Sequence, residues 1–138
     1  MDNLTAHYDL NQQLEIIYLY FSKAFDKVSR CKLLNVLNDI ELHPGTISWI
    51  RNYLSGRTQI TAVATSYSDP ISITSGVPQG SVLGPLLFII YLQDLLNRIH
   101  HECKEITIYA FADDVKILSR HPENLQKALH IVGEWTSD

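Results

Sequence analysis

Two aspartates, Asp113 and Asp114, stand side by side between the apolar stretches EITIYA and VKILS. Adjacent carboxylates at a sharp turn repel each other, and a divalent cation is the simplest neutraliser of that repulsion. Sites that transfer phosphoryl groups with two metal ions hold the ions about 3.5–4 Å apart, so a second strand should bring a further acid beside the pair. The strand best placed to do so is LEIIYLYF, Leu14 to Phe21, which runs into a polar turn as the edge of an active site would. Its end carries Tyr20, a neutral phenol where that chemistry calls for a carboxylate. Alone, an acid pair at a hairpin turn is a common solvated turn former. Its meaning therefore depends on the elements around it.

Those elements follow from periodicity and turn chemistry. LEIIYLYF is rich in β-branched and aromatic residues and short enough to be a buried strand. From about Ser29, the residues Leu33, Val36, Leu37 and Ile40 repeat at helical spacing. HPG, residues 43–45, should break that helix, and TISWIRNYL should form a second one that SGR stops. Trp49 and Tyr53, four residues apart on it, read as core rather than as base-stacking platforms. The pieces TQITAVATS and PISIT predict a hairpin that turns at YSDP. SGVPQGSVLGP, with three glycines and two prolines in eleven residues, must be a loop. LLFIIYLQDLLNRI then reads as a helix apolar on nearly all sides, opened by Pro85 in its first turn and suited to the centre of a fold. EITIYA, the turn FADD and VKILS predict a second hairpin. A final helix carries Leu125, Ala128, Leu129 and Val132 on one face. The order predicts an α+β fold, an antiparallel sheet with helices packed on one face.

At 138 residues with 46% hydrophobic content the chain suits one domain, with residues 1–13 as a lead-in and 14–138 as the domain. Fifteen acids against eleven bases give a formal charge of -4. The bases are spread along the chain, which argues against a stand-alone electrostatic binder of nucleic acid. Cys31 and Cys103 are too few for a disulfide framework and have no paired-ligand spacing, which predicts an intracellular setting, nucleus or cytoplasm. The longest apolar run, residues 82–92, ends at Gln93 and Asp94, short of the about 20 residues that a membrane span needs, so no membrane partner is expected. HHEC, residues 100–103, has metal-capable residues but lacks the partner cluster of a four-ligand zinc site.

Four ordered blocks carry a resemblance. YLYFSKAFDKVS, WIRNYLSGRTQ, SGVPQGSVLGPLLFIIYLQDL and FADDVKIL resemble the palm region of reverse transcriptases (RNA-directed DNA polymerases) of non-LTR retrotransposons. The likeness runs from about Leu14 to Trp135. It implies a polymerase palm without the fingers and thumb of the family's full enzyme, and RNA-templated DNA synthesis as the parent reaction. Template RNA, primer DNA and a deoxynucleotide are the implied partners, and Mg²⁺, with Mn²⁺ as an alternative, is the implied cofactor.

By the same resemblance Asp113 and Asp114 match the catalytic, metal-binding acids of the family. Phe25 matches the aromatic under the incoming nucleotide's sugar. Gln79 and Gly80 match the loop that approaches the nucleotide and template backbone, where glycine leaves room. The departure is Tyr20, at the position of the family's first catalytic aspartate. Asp26 has its own counterpart in the family pattern, and Glu15, an odd number of residues from Tyr20, falls on the opposite face of an alternating strand. These residues predict an enzyme-derived chain that is inactive as it stands. The alternative is a non-catalytic module, derived from a reverse transcriptase, that binds nucleic acid or protein.

Overall fold

The structure is a computed structural model and describes residues 14–137. The lead-in expected over residues 1–13 lies outside the described residues. Among the described residues four helices and seven strands follow one another: β1 (Glu15–Tyr20), α1 (Arg30–Asp39), α2 (Pro44–Leu54), β2 (Thr58–Gln59), β3 (Ala62–Val63), β4 (Ser66–Tyr67), β5 (Ile71–Ser72), α3 (Leu83–Glu102), β6 (Ile106–Phe111), β7 (Asp114–Ser119) and α4 (Pro122–Ser137). The fold is a mixture of helices and antiparallel sheet. The described residues form two compact units, one holding residues 14–22 and 92–137, the other Lys23–Tyr91. The division falls inside α3.

The first unit is built on a three-stranded antiparallel sheet in the order β1-β7-β6. Side chains alternate across β1, and its half-buried residues Leu19 and Ile17 lie opposite Val115 and Ile117 of β7, both fully buried. Alternation of this kind directs one face of a strand to the core and the other to solvent. Helix α4 packs against β7. Its buried stripe is Leu125, Ala128, Ile131 and Trp135, which corrects the expected stripe, since Leu129 is exposed and Val132 only half-buried. The Trp135 indole N–H donates to Asp94 Oδ2 at 2.9 Å, and the Trp135 ring meets Phe21 edge-on, so the polar handle of a buried indole is satisfied.

The second unit holds α1, α2 and the irregular strands. Helix α1 starts close to Ser29, as expected, and Ser29 caps it, its hydroxyl accepting from the Lys32 N–H. Helix α2 begins at Pro44 rather than after HPG, because proline suits the first helical position and His43 Nδ1 accepts from the Gly45 N–H as the cap. The expected hairpin is two short ladders, β2 with β5 and β3 with β4. The turn lies at Ala64 and Thr65, not at YSDP, and Pro70, which has no N–H to donate, falls where the pairing is interrupted. Trp49, expected in the core, is 54% exposed. Helix α3 buries Leu87, Phe88, Leu95 and Ile99 but leaves Leu86 and Ile89 exposed, so it is apolar all round without being covered all round. Among the described residues no helix is long and apolar enough to cross a membrane.

Candidate functional site

The six residues singled out by the sequence fall into two sets, one in each unit. In the sheet unit, β6 and β7 are joined by the two residues Ala112 and Asp113, so the FADD turn is tighter than its four letters suggest and Asp114 already belongs to β7. Ala112 sits at φ 52, a left-handed conformation that costs a non-glycine residue about 1–2 kcal/mol. That bend places Asp113 half-buried at the tip while Asp114 projects from the exposed side of its strand.

Tyr20 lies directly opposite Asp114 in the β1–β7 register, and Phe111 lies opposite Asp114 on the other side. Facing residues on neighbouring strands hold their Cβ atoms about 4.5–5.5 Å apart. The end of β1 therefore delivers a side chain beside the acid pair, and that side chain is a phenol. It is 76% exposed. Glu15 pairs with Ser119 at the far end of the strand and on the half-buried face, so it offers no replacement.

The chemistry of the donor set decides what this corner can hold. Hard divalent ions such as Mg²⁺ are held through carboxylates, phosphates and water, and the phenol of Tyr20 adds no anionic oxygen. Among the described residues no group of three Asp, Glu, His or Cys side chains could hold a metal ion. His100 and His101 are exposed at the end of α3 and Cys103 is buried, and they gather no further ligand. The residues present do not fit a two-ion site.

The second set is assembled by side chains gripping backbone. Residues 22–27 form a turn in which the Asp26 and Lys27 N–H groups both donate to Lys23 O. The irregular segment 73–77 docks onto it: Gly76 N–H donates to Val28 O at 2.9 Å and Val77 N–H to Phe25 O at 2.8 Å. The Ser75 hydroxyl donates to Asp26 O. Arg30 completes the dock by donating through Nη1 to Ile73 O at 2.9 Å, through Nη2 to Ser75 O at 3.1 Å and through Nε to Gly76 O at 3.2 Å. Burial, and then the neighbouring Arg57 charge, lowers the Arg30 pKa from its ordinary value.

Gly76 makes this approach possible. At φ 82 it occupies a conformation closed to most side chains, and a Cβ there would stand 2.7 Å from Asp26 O and 2.8 Å from Phe25 O. The result ties Phe25 and Gln79 to one frame. The Gln79 side-chain amide donates to Asp26 Oδ1 at 2.9 Å, so Asp26 is engaged in holding Gln79. The Phe25 ring stacks on Phe88 at 4.7 Å between centroids. Gly80, at φ 74, has open space where a Cβ would be. Sequence reasoning named Phe25, Gln79 and Gly80 but missed Arg30, Ser75 and Gly76, which position them. Their partners lie 43–49 residues away, and no local pattern marks such pairings.

The family model described as "Reverse transcriptase (RNA-dependent DNA polymerase)" matches residues 3–138. The chain is 29% identical to the "Probable RNA-directed DNA polymerase from transposon BS" of Drosophila melanogaster over 96% of its own length and 16% of the relative's. It is 31% identical to the "RNA-directed DNA polymerase from mobile element jockey" of Drosophila funebris, covering 86% of this chain and 14% of that protein. It is also 31% identical to the "Retrovirus-related Pol polyprotein from type-1 retrotransposable element R2" of Popillia japonica, over 75% of this chain and 18% of that one. The chain thus spans less than a fifth of the length of each of these relatives.

Proposed function

The chain belongs to the reverse transcriptases, the RNA-dependent DNA polymerases, of non-LTR retrotransposons, and we propose that it is the palm segment of such an enzyme, unable to extend a primer because Tyr20 fills an acid position. The pairing of Tyr20 with Asp114 in the β1–β7 register carries this reading. A carboxylate at position 20 would stand on the same strand end, beside the pair, and complete a set of three.

The remaining roles follow from what the side chains can do. Asp113 and Asp114 are the acids that would face the reacting phosphate. Phe25, propped on Phe88, offers a flat ring to the sugar of a deoxynucleotide. Gln79, held by Asp26, and Gly80, free of a side chain, leave an open backbone for a nucleotide or template strand. RNA template, DNA primer and deoxynucleotide are accordingly the substrates of the reaction to which the segment belongs. Each 1.4 kcal/mol of lost transition-state stabilisation is tenfold in rate, and loss of one carboxylate from a two-ion site forfeits several kcal/mol, so polymerisation by a chain with Tyr20 falls by about a thousandfold or more.

The test is Tyr20→Asp in the 138-residue chain, with Mn²⁺ affinity measured by titration calorimetry. The variant gains at least about tenfold in affinity if the acid position is the one lost. Equal affinity in the two chains sinks the reading.

A further inference from the structure

A cavity of about 900 Å³ opens in the second unit, with Lys23, Arg30, Arg57, Asp26 and Gln79 in its lining. Three cations face one carboxylate there. The balance matches that of the unit, which carries six Lys and Arg against four Asp and Glu over residues 23–91, a net +2 in a chain of net charge -4. Of these cations Arg30 is held by the Ile73, Ser75 and Gly76 carbonyls, which leaves Lys23 and Arg57 to face a ligand.

Arg57 does more than line this cavity. Its guanidinium lies 5.3 Å from the centroid of the Tyr53 ring, and Tyr53 stacks on Trp49 with centroids 5.6 Å apart and planes only 11° from parallel. Trp49 and Tyr53, four residues apart, share one face of α2, and Arg57, beyond the end of the helix, lies over the Tyr53 ring. Trp49 is exposed while its ring is held flat by the ring beside it. Surfaces that bind single strands combine aromatic rings, on which bases of any sequence stack, with cations that track the phosphates and stack on the same rings. A ladder of two parallel rings and a guanidinium that runs into a cationic cavity has both parts in order.

We infer that Trp49, Tyr53 and Arg57 form a stacking platform for single-stranded nucleic acid, with the strand's phosphates drawn toward the cavity cations Lys23 and Arg57. The platform is independent of the acid pair and needs no metal. It rests on the proposed function only in the choice of RNA as probe.

The experiment is a fluorescence anisotropy titration of the 138-residue chain into a fluorescein-labelled short oligouridine, at low salt and with EDTA present. Stacking of one base is worth roughly 5- to 150-fold in affinity. Trp49→Ala should therefore weaken binding by at least about fivefold, and Trp49→Phe should restore most of it. Arg57→Gln should flatten the dependence of log affinity on log salt by about 0.7 for the phosphate it neutralises. An abasic strand of the same length should be blind to Trp49→Ala. Circular dichroism melts of the variants check that the fold is kept, and Trp49→Phe serves if the alanine variant unfolds. Absence of binding at low salt overturns the platform, as does binding that Trp49→Ala leaves unchanged. A protein segment would then be the occupant of this face. EDTA removes the ions on which the Tyr20→Asp test depends, so either result here leaves that test standing on its own.

Discussion

The two units are held together by different means. In the sheet unit, β7 hydrogen-bonds to β1 and β6 along its whole length, and the acid pair takes its place from strand register and a two-residue turn. In the other unit the four strands are two residues long and exposed throughout, and the frame around Phe25 and Gln79 is set by Arg30, Ser75 and the missing side chain of Gly76. Their charges differ as well. Residues 14–22 and 92–137 carry eight acids against five Lys and Arg, a net -3, where the other unit is +2. A ladder spreads its strength over many equivalent bonds, while a staple concentrates it in a few side chains. Single substitutions should therefore weigh more heavily on the second unit than on the first.

The largest effect is expected at Gly76. Gly76→Ala sets a Cβ against the Phe25 and Asp26 backbone in a left-handed conformation, which should cost about 3 kcal/mol or more in urea unfolding, with faster amide exchange over residues 73–79. Arg30→Met comes next. It leaves the Ile73, Ser75 and Gly76 carbonyls without their donor, at about 2–3 kcal/mol by the same measurement. Arg30→Lys should recover only part of the loss, because an ammonium lacks the planar fork that serves three carbonyls. The smallest effect has the opposite sign and lies in the sheet unit. Ala112→Gly relieves a left-handed turn position and should stabilise by about 0.5–1 kcal/mol, visible as a higher urea midpoint. If Arg30→Met cost less than Ala112→Gly gained, the contrast between staple and ladder would fail.

How far each unit could be read from sequence follows the same line. The strands around Asp113 and Asp114 announce themselves by alternation and by β-branched residues, and the helix at Arg30–Asp39 by its Leu33–Leu37 spacing. These are local signals, so Tyr20 could be assigned to a strand end near the acids before any coordinates. The dock of residues 73–77 onto residues 25–30 leaves no such trace, since each of its bonds joins segments more than 40 residues apart. The stripe of α4 was misplaced by one turn choice, Leu129 and Val132 for Ile131 and Trp135, because several faces of that helix are apolar enough to qualify. The helical spacing of Trp49 and Tyr53 suggests core, while Arg57, which lies over the Tyr53 ring, falls beyond the helix end, where helical spacing is not counted.

One further consequence belongs to β1. Among the described residues it is paired with β7 alone, at the edge of its sheet, and Tyr20 ends it on the exposed side. An aromatic residue is at least as much at home on such a strand as an aspartate is. Exchange of carboxylate for phenol at this position thus passes the filter of folding and is visible only to chemistry. Folding alone therefore does not choose between a phenol and a carboxylate at position 20.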